Sequence, residues 1–413
     1  MYHPLALSCP VQHYAWGSTD GIARITGESD PEGRPTAELW MGAHPLAPCY
    51  ADRSALPDLA HNDGTSLLSL AELIVLKPGE MLGEKTRLRY GADLPFLFKI
   101  LSAARPLSLQ VHPNRDQARS GFARESAAGI PQGSAKRNYR DQNGKAEMVL
   151  ALTPFTCLCG FRGVSEALSL LSEIPCEALA PALSYLENAR DYRGFLSSLY
   201  SLPDTDKRAI AHAVRRVASG KPDRQGPLGH VSLLCEHYPD DIGILAPLYL
   251  NSITLSPGEA LYLDPRVPHT YLAGTALELM SNSDNVIRGG LTAKEVNHRE
   301  FLDVLDPSPF EPRILRATAD SARLGRYITP AADFELSLVQ LSSSSVEIPT
   351  GVPSILLVTE GCVTLMCKHG SDWSTEAQSG SVHFFPAASP PVVAAGTCTA
   401  YLASLPRDSG TEP

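Results

Sequence analysis

Apolar residues take three textures along this chain. From residue 1 to about 160 they form short runs broken by Pro, Gly and Asp, such as Leu94 to Ile100 and Met148 to Leu152, which predict strands and loops with a few short helices. Between Ser165 and about Pro247 the spacing becomes three and four residues, in SEALSLLSEI, EALAPALSYLEN and DTDKRAIAHAVRRVASG, and predicts a block of amphipathic helices. Asp204 stands where the last of these segments needs an N-cap, and Gly220 where it would stop. From Leu248 the strand texture returns in LYLNSITLSPGEALYLDPRVPHTYLAGTALELM, and another β-rich stretch runs from about Ala331 onward. The expected organisation is a discontinuous β domain over residues 1–162 and 248–315, a helical insertion over 163–247 and a C-terminal β domain over 316–413.

Composition narrows the function classes. With 413 residues, 43% of them hydrophobic and 19% charged, the chain is long enough for two or three domains with real cores. Its net charge of -10 argues against a nucleic-acid partner, because such binding rests on a dense basic surface. The first residues lack a basic leader followed by an apolar stretch, and no run of about 18 apolar residues occurs, so neither a secretory signal nor a membrane partner is expected. Nine scattered cysteines, with only Cys157 and Cys159 close together, read as free thiols of a cytoplasmic protein rather than a thiolate metal site.

Strand periodicity singles out a chemical constellation. In SLQVHPNRDQ, Gln110 and His112 are two residues apart and share a face, while Leu109 and Val111 take the other. The same arithmetic pairs Lys145 with Glu147 in QNGKAEMVLAL and sets Glu278 apart from Leu277 and Leu279. Polar groups on the inward face of apolar strands need partners. A divalent cation gathered by Gln110, His112, Glu147 and His269 would satisfy them, and zinc suits that nitrogen and oxygen set, with manganese, cobalt or iron as alternatives. Each piece alone has a plainer reading: His112 as a satisfied structural histidine, Glu147 as a strand-end surface charge, His269 as the cap of a tight turn.

Two resemblances sharpen this. Gly258 is followed by a strand and then Pro265, Pro268 and His269, and Gly380 by a strand and then Pro386, Pro390 and Pro391, which resembles the glycine-strand-proline pattern of cupin barrels. Only the first copy carries a histidine at the turn. The strings QHYAWGS, AELWMGAHP, PFLFKILSAARPLSLQVHP, YRDQNGKAEM and PHTYLAGTALELMSNSDNVIRGGLTAK, in that order, resemble the type I phosphomannose isomerases. The resemblance implies a mainly β fold with two cupin-like jelly-roll domains and an α-helical insertion. It implies one zinc ion held by Gln110, His112, Glu147 and His269, and interconversion of mannose 6-phosphate and fructose 6-phosphate through a cis-enediol. It places Arg288 and Lys294 in the cleft, Arg288 as a candidate for stabilising the enediolate or assisting proton transfer. Ser108, Lys99 and Lys145 become phosphate or sugar contacts. Glu278, Asp284 and Tyr271 line the sugar side or support the basic residues, and Trp16 joins the substrate-binding set, with packing as the alternative for Tyr271 and Trp16. The proton-transfer base stays open among Glu278, Asp284 and Lys145. The implied partner is a hexose 6-phosphate alone, and the implied state a monomer.

The chain departs from the family beside these positions. NGKAE stands where NHKPE is common, so Gly144 replaces a histidine and Ala146 a proline, and RGGLTAK and HTYLAG carry similar neighbouring changes. Both changes at 144 and 146 free the backbone, so the loop presenting Lys145 is expected to be less preorganised. The rival reading is therefore a non-catalytic sugar-phosphate binding or regulatory protein on a degenerate cupin scaffold. A cupin iron oxygenase is a third, disfavoured by the Gln ligand.

Overall fold

The computed structural model describes residues 2–56, 66–220, 226–319, 321, 323–368 and 373–406. The chain is mainly β with a helical insertion, as its hydropathy pattern predicts. Among the described residues, antiparallel strands form two large sheet systems, one of eleven strands and one of ten.

The first system is organised by the strand His269–Ser281. Its later half pairs with Phe96–Ala103 on one side and Glu147–Ala151 on the other. Its first residues pair instead with Leu109–Val111 and Phe155–Phe161. The switch falls at an irregular register between Tyr271 and Ala273, next to Gly274 at φ +116°. A Cβ at Gly274 would stand 2.5 Å from the Pro154 carbonyl oxygen, so only glycine lets the strand turn this corner. One strand thus supplies both walls of a barrel, with His269 on one and Glu278 on the other.

The helical block covers one outer wall. Leu109 and Val111 are fully buried in the same cluster as Leu158, Phe161 and the inward faces of helices Val164–Ser172, Tyr192–Ser201 and Asp204–Ser219. A one-residue slip of the Leu109–Val111 strand would exchange these residues with Gln110, at roughly 1.5–3 kcal/mol for each large side chain exposed. That packing fixes which way Gln110 points.

Two local expectations change and one holds. Pro203 occupies the N-cap position, while Asp204 and Asp206 lie in the first turn, where they favour the positive end of the helix dipole. Gly220 does close that helix, in a right-handed conformation. The segment before residue 160 holds the thirteen-residue helix Arg115–Ala127, which lacks an apolar stripe because its buried positions are Ala118, Gly121 and Glu125. Its signal is the Asn114–Gln117 capping box.

The expected boundaries also meet a correction at the N-terminus. Leu5–Ser8 pairs with Val382–Phe385 and with Tyr50–Asp52, which pairs with Leu67–Ser69. These strands extend the sheet of the C-terminal region rather than that of residues 96–161. Their apolar side chains, Leu5, Ala51 and Leu68, enter a core shared with Ile355, Leu357 and Phe384. Periodicity reports that a segment is a strand but not which sheet it joins. No described helix is long and apolar enough to cross a membrane.

Candidate metal centre and cleft

The strand pairings set two polar rows facing each other. On one wall Gln110 is the cross-strand partner of both His269 and Arg288. On the other Lys99 is the partner of both Glu278 and Trp40. Directly opposed residues share a face, so each row projects into the barrel together. Glu147 opens its strand between them. Lys145 precedes that strand, so face-sharing by alternation does not hold for the pair; the loop nevertheless brings Lys145 Nζ to 3.0 Å from Glu147 Oε1.

His112, Glu147 and His269 converge, their ligand atoms within 4.8 Å of one another, and all three are buried. His112 Nδ1 donates to the Asn285 carbonyl at 2.7 Å and His269 Nδ1 to that of Val267 at 2.9 Å, leaving both Nε2 lone pairs facing inward. They point at Glu147, with His112 Nε2 3.1 Å from Oε1 and His269 Nε2 3.2 Å from Oε2. Among the described residues His112 Nε2 has no hydrogen-bond partner. Burial, reinforced by Lys145, lowers the His112 pKa to about 4, so the ring is neutral at pH 7. Burial alone would raise the Glu147 carboxyl, but Lys145, His112 and His269 hold it well below its ordinary value. Two lone pairs aimed at a carboxylate repel unless a cation stands among them. Donors about 2.0–2.1 Å from a shared centre lie roughly 3.2–3.4 Å apart in tetrahedral geometry, close to the spacing found. Gln110 Nε2 lies 3.4 Å from His269 Nε2, and a half-turn of its amide presents Oε1 to the same point. The residues therefore fit a divalent ion.

Asn285, fully buried, builds the support for this centre. Its carbonyl orients His112, its Oδ1 accepts from Arg140 N at 2.7 Å, and its Nδ2 donates to the Asn143 carbonyl at 3.0 Å. The SDNV segment, between strands His269–Ser281 and Ile287–Gly290, and the RDQNGK loop are thereby fixed to His112.

A cleft of about 420 Å³ opens above the centre. It is lined by eleven of the thirteen residues singled out from sequence, with His112 and His269 beneath its floor. Lys99 is tied down at 2.9 Å to Glu278 and 3.8 Å to Glu38. Burial opposes its charge, but the two carboxylates more than offset that and keep it protonated. Burial raises the Glu278 carboxyl against the pull of Lys99. Burial would likewise raise Asp284, yet its contact with His44 at 3.3 Å and the cations around it bring it below its usual value. Tyr271 is buried with its hydroxyl 3.5 Å from Glu147 Oε2. Trp16 and Ser108, both half-buried, also line it.

Arg288 and Lys294 also line the cleft, with Arg140 beside them, and none of the three makes an ion pair to a described carboxylate within 4 Å. Burial, then neighbouring Arg140, lowers Arg288; burial, then Arg288 and Arg140, lowers Lys294. Mutually repelling cations with no described carboxylate within ion-pair distance mark a place for an anion. Arg140, Glu38 and Trp40 were not singled out from sequence. Glu38 and Trp40 stand two apart in ELWM, the same signal that found Gln110 and His112.

The cysteines supply no ligand. All nine are unpaired, and burial raises the Cys157 thiol to about 12, so it stays protonated.

Gly144 is structurally dictated. A Cβ there would lie 2.7 Å from Arg115 N and 3.1 Å from the Asn114 carbonyl carbon, both backbone atoms at the start of a helix. Gly144→Ala is expected to destabilise the protein by about 1–3 kcal/mol, measured by denaturant melts. Gly144→His is expected to lower activity rather than raise it; higher turnover in a coupled assay would show that the loop yields.

Comparison with known proteins agrees with this geometry. The family described as "Phosphomannose isomerase type I, catalytic domain" matches residues 5–164. The mannose-6-phosphate isomerase of Escherichia coli (strain K12) is 39% identical over 358 residues, covering 86% of this chain and 88% of that one. That of Salmonella typhimurium is 39% identical over 393 residues, covering 94% and 96%. A solved mannose 6-phosphate isomerase described as holo and zinc bound superposes with a TM-score of 0.88 at 35% identity, over 98% of this chain and all of that one. Sequence and fold therefore agree over nearly the whole length: the chain belongs to the type I phosphomannose isomerase family.

Proposed function

We infer that this protein is a zinc-dependent aldose-ketose isomerase that interconverts mannose 6-phosphate and fructose 6-phosphate. The observation that carries the reading is the pair of inward imidazole lone pairs facing Glu147 beneath a cleft with three unpaired cations. Gln110, His112, Glu147 and His269 would hold the ion, which when bound stabilises negative charge on the sugar oxygens at C1 and C2.

The chain's own groups divide the remaining work. Arg288, opposite Gln110 in the pairing, meets the charge that develops on the enediolate and, with Arg140 and Lys294, receives the phosphate. Lys99 and Lys145 are occupied by Glu278 and Glu147, so their assignment is to sugar hydroxyls and to holding those carboxylates. Ser108, Tyr271 and Trp16 shape the sugar pocket. Glu278 is assigned as the base that moves the proton between C2 and C1: Asp284 is committed to His44, and Lys145 Nζ is engaged by Glu147 at 3.0 Å. The same reading has the enzyme acting as a monomer in the cytoplasm, the compartment being supported by nine thiols free of disulfides.

The test is a coupled assay for fructose 6-phosphate beside elemental analysis, with turnover in heavy water. Isomerisation, about one divalent ion per chain and some deuterium at C2 of recovered mannose 6-phosphate are expected. Sugar-phosphate binding without turnover would favour the degenerate-scaffold reading. Because Glu278 acts ionised and its carboxyl is raised, kcat/KM should fall with decreasing pH through a pKa above the roughly 4.3 of an ordinary glutamate. The profile is measured with metal in excess, since acid also releases metal.

A further inference from the structure

The helical insertion reaches the loop beside the cleft through one carboxylate. Asp241 precedes the 3-10 turn Ile242–Leu245 and caps it, its Oδ1 accepting from Gly243 N at 2.7 Å. Its Oδ2 accepts from Leu291 N at 2.7 Å and from Thr292 N at 3.4 Å, in the loop that follows strand Ile287–Gly290. Leu291 has φ +55°, the left-handed region that bulky side chains avoid, and is fully buried. The packing around this tie leaves no slack. A Cβ on Gly290 would lie 2.9 Å from Asp241 Oδ1, and one on Gly243 would lie 3.2 Å from Leu291 N. Thr292 Oγ1 in turn accepts from Lys294 N at 3.1 Å. Upstream, the register of the strand shifts between Arg288 and Gly290, so the direction of Arg288 depends on how the chain leaves that bulge. Asp241 itself does not line the cleft.

We propose that Asp241 is a positioning residue whose bonds to Leu291 and Thr292 hold the 288–294 loop so that Arg288 and Lys294 face the substrate phosphate. This rests on the function inferred above. It gives the helical insertion a part in substrate affinity in addition to covering the barrel.

Asp241→Asn keeps the shape and one acceptor, whereas Asp241→Ala removes both. Three quantities are measured on the metal-loaded protein: KM for mannose 6-phosphate, the inhibition constant of inorganic phosphate as a competitor, and hydrogen exchange at the Leu291 and Thr292 amides. In Asp241→Asn, KM and the phosphate constant are expected to rise together by about tenfold, the loss of one hydrogen bond to a charged group. Asp241→Ala should raise them further. Metal content should be unchanged, and both amides should lose protection. A merely structural role would lower the melting temperature while leaving KM and the phosphate constant of the folded enzyme unaltered, and that result overturns the proposal. Equal amide exchange in wild type and Asp241→Asn overturns the tie itself, whatever the activity. If the wild type neither isomerises the sugar nor responds to phosphate, the inferred function and the positioning role fall together, whereas lost amide protection in the variants would still establish the tie.

Discussion

His112→Ala and His269→Ala are each expected to abolish isomerisation and to leave the purified protein with well under one divalent ion per chain. Each substitution removes one of two imidazoles whose Nδ1 is fixed by a backbone carbonyl and whose Nε2 faces Glu147. The metal is asked to supply several kcal/mol of charge stabilisation, and at 1.36 kcal/mol per tenfold its loss lowers kcat/KM by about a thousandfold or more. A chelator should reproduce the effect in the wild type, and added zinc should reverse it there but not in the variants. The fold should survive, because His112→Ala leaves Leu109 and Val111 packed against the helices. Glu147→Gln should also lose metal and in addition leave Lys145 without its partner at 3.0 Å. Full turnover in verified metal-free wild type would sink the reading of this centre.

Glu278→Gln is expected to lower kcat by about a hundred- to ten-thousandfold, with little change in KM or metal content. Glu278 lies on the wall opposite Gln110 and Arg288, its carboxyl raised by burial and restrained by Lys99 at 2.9 Å. Such a group accepts a proton more readily than an ordinary glutamate, and the Lys99 ammonium favours its ionised form. Glutamine preserves shape and a hydrogen bond to Lys99 but cannot take the proton, so exchange of the C2 hydrogen into heavy water should stop with turnover. Lys99 retains Glu38 at 3.8 Å, which limits the cost of leaving a buried ammonium unpaired. A modest fall in melting temperature is therefore compatible with the assignment. If Asp284→Asn halts exchange while Glu278→Gln does not, the base is Asp284, and its tie to His44 is what tunes it.

Both expectations draw on residues that strand alternation makes legible, apart from His269, to which the glycine-strand-proline pattern points. Gln110 and His112 share a face because alternation is a local property, and Leu109 and Val111 confirm it by entering the helical core. The changes at 144 and 146 are visible in the sequence as departures, but their meaning is not. Gly144 reads there as a source of slack; the structure makes it a position where no side chain fits against the Asn114–Arg115 backbone. Arg140 lies in one of the resembling strings without a role, because a charge in a loop is ordinarily solvated. Only its place beside Arg288 and Lys294, with no described carboxylate within 4 Å, gives it one.

Lys99 and Lys145 show the converse. In the sequence they are free cations for a phosphate or sugar, and in the fold each is held by a carboxylate. Asp241 carries no local signal, since nothing near it hints that its carboxylate crosses to the Leu291 backbone.

By itself the sequence determined the β, α, β order, the face each polar residue of a strand takes, and the donor types for one divalent ion. Those follow from period, propensity and side-chain chemistry, which act over a few neighbouring residues. Tertiary structure alone decided that Leu5–Ser8 joins the sheet of the C-terminal region, which cations keep their charge unpaired, and that the insertion ties the 288–294 loop. Such choices depend on contacts between segments tens to hundreds of residues apart. Their energies are set by what each group loses in leaving water and which partner it then finds.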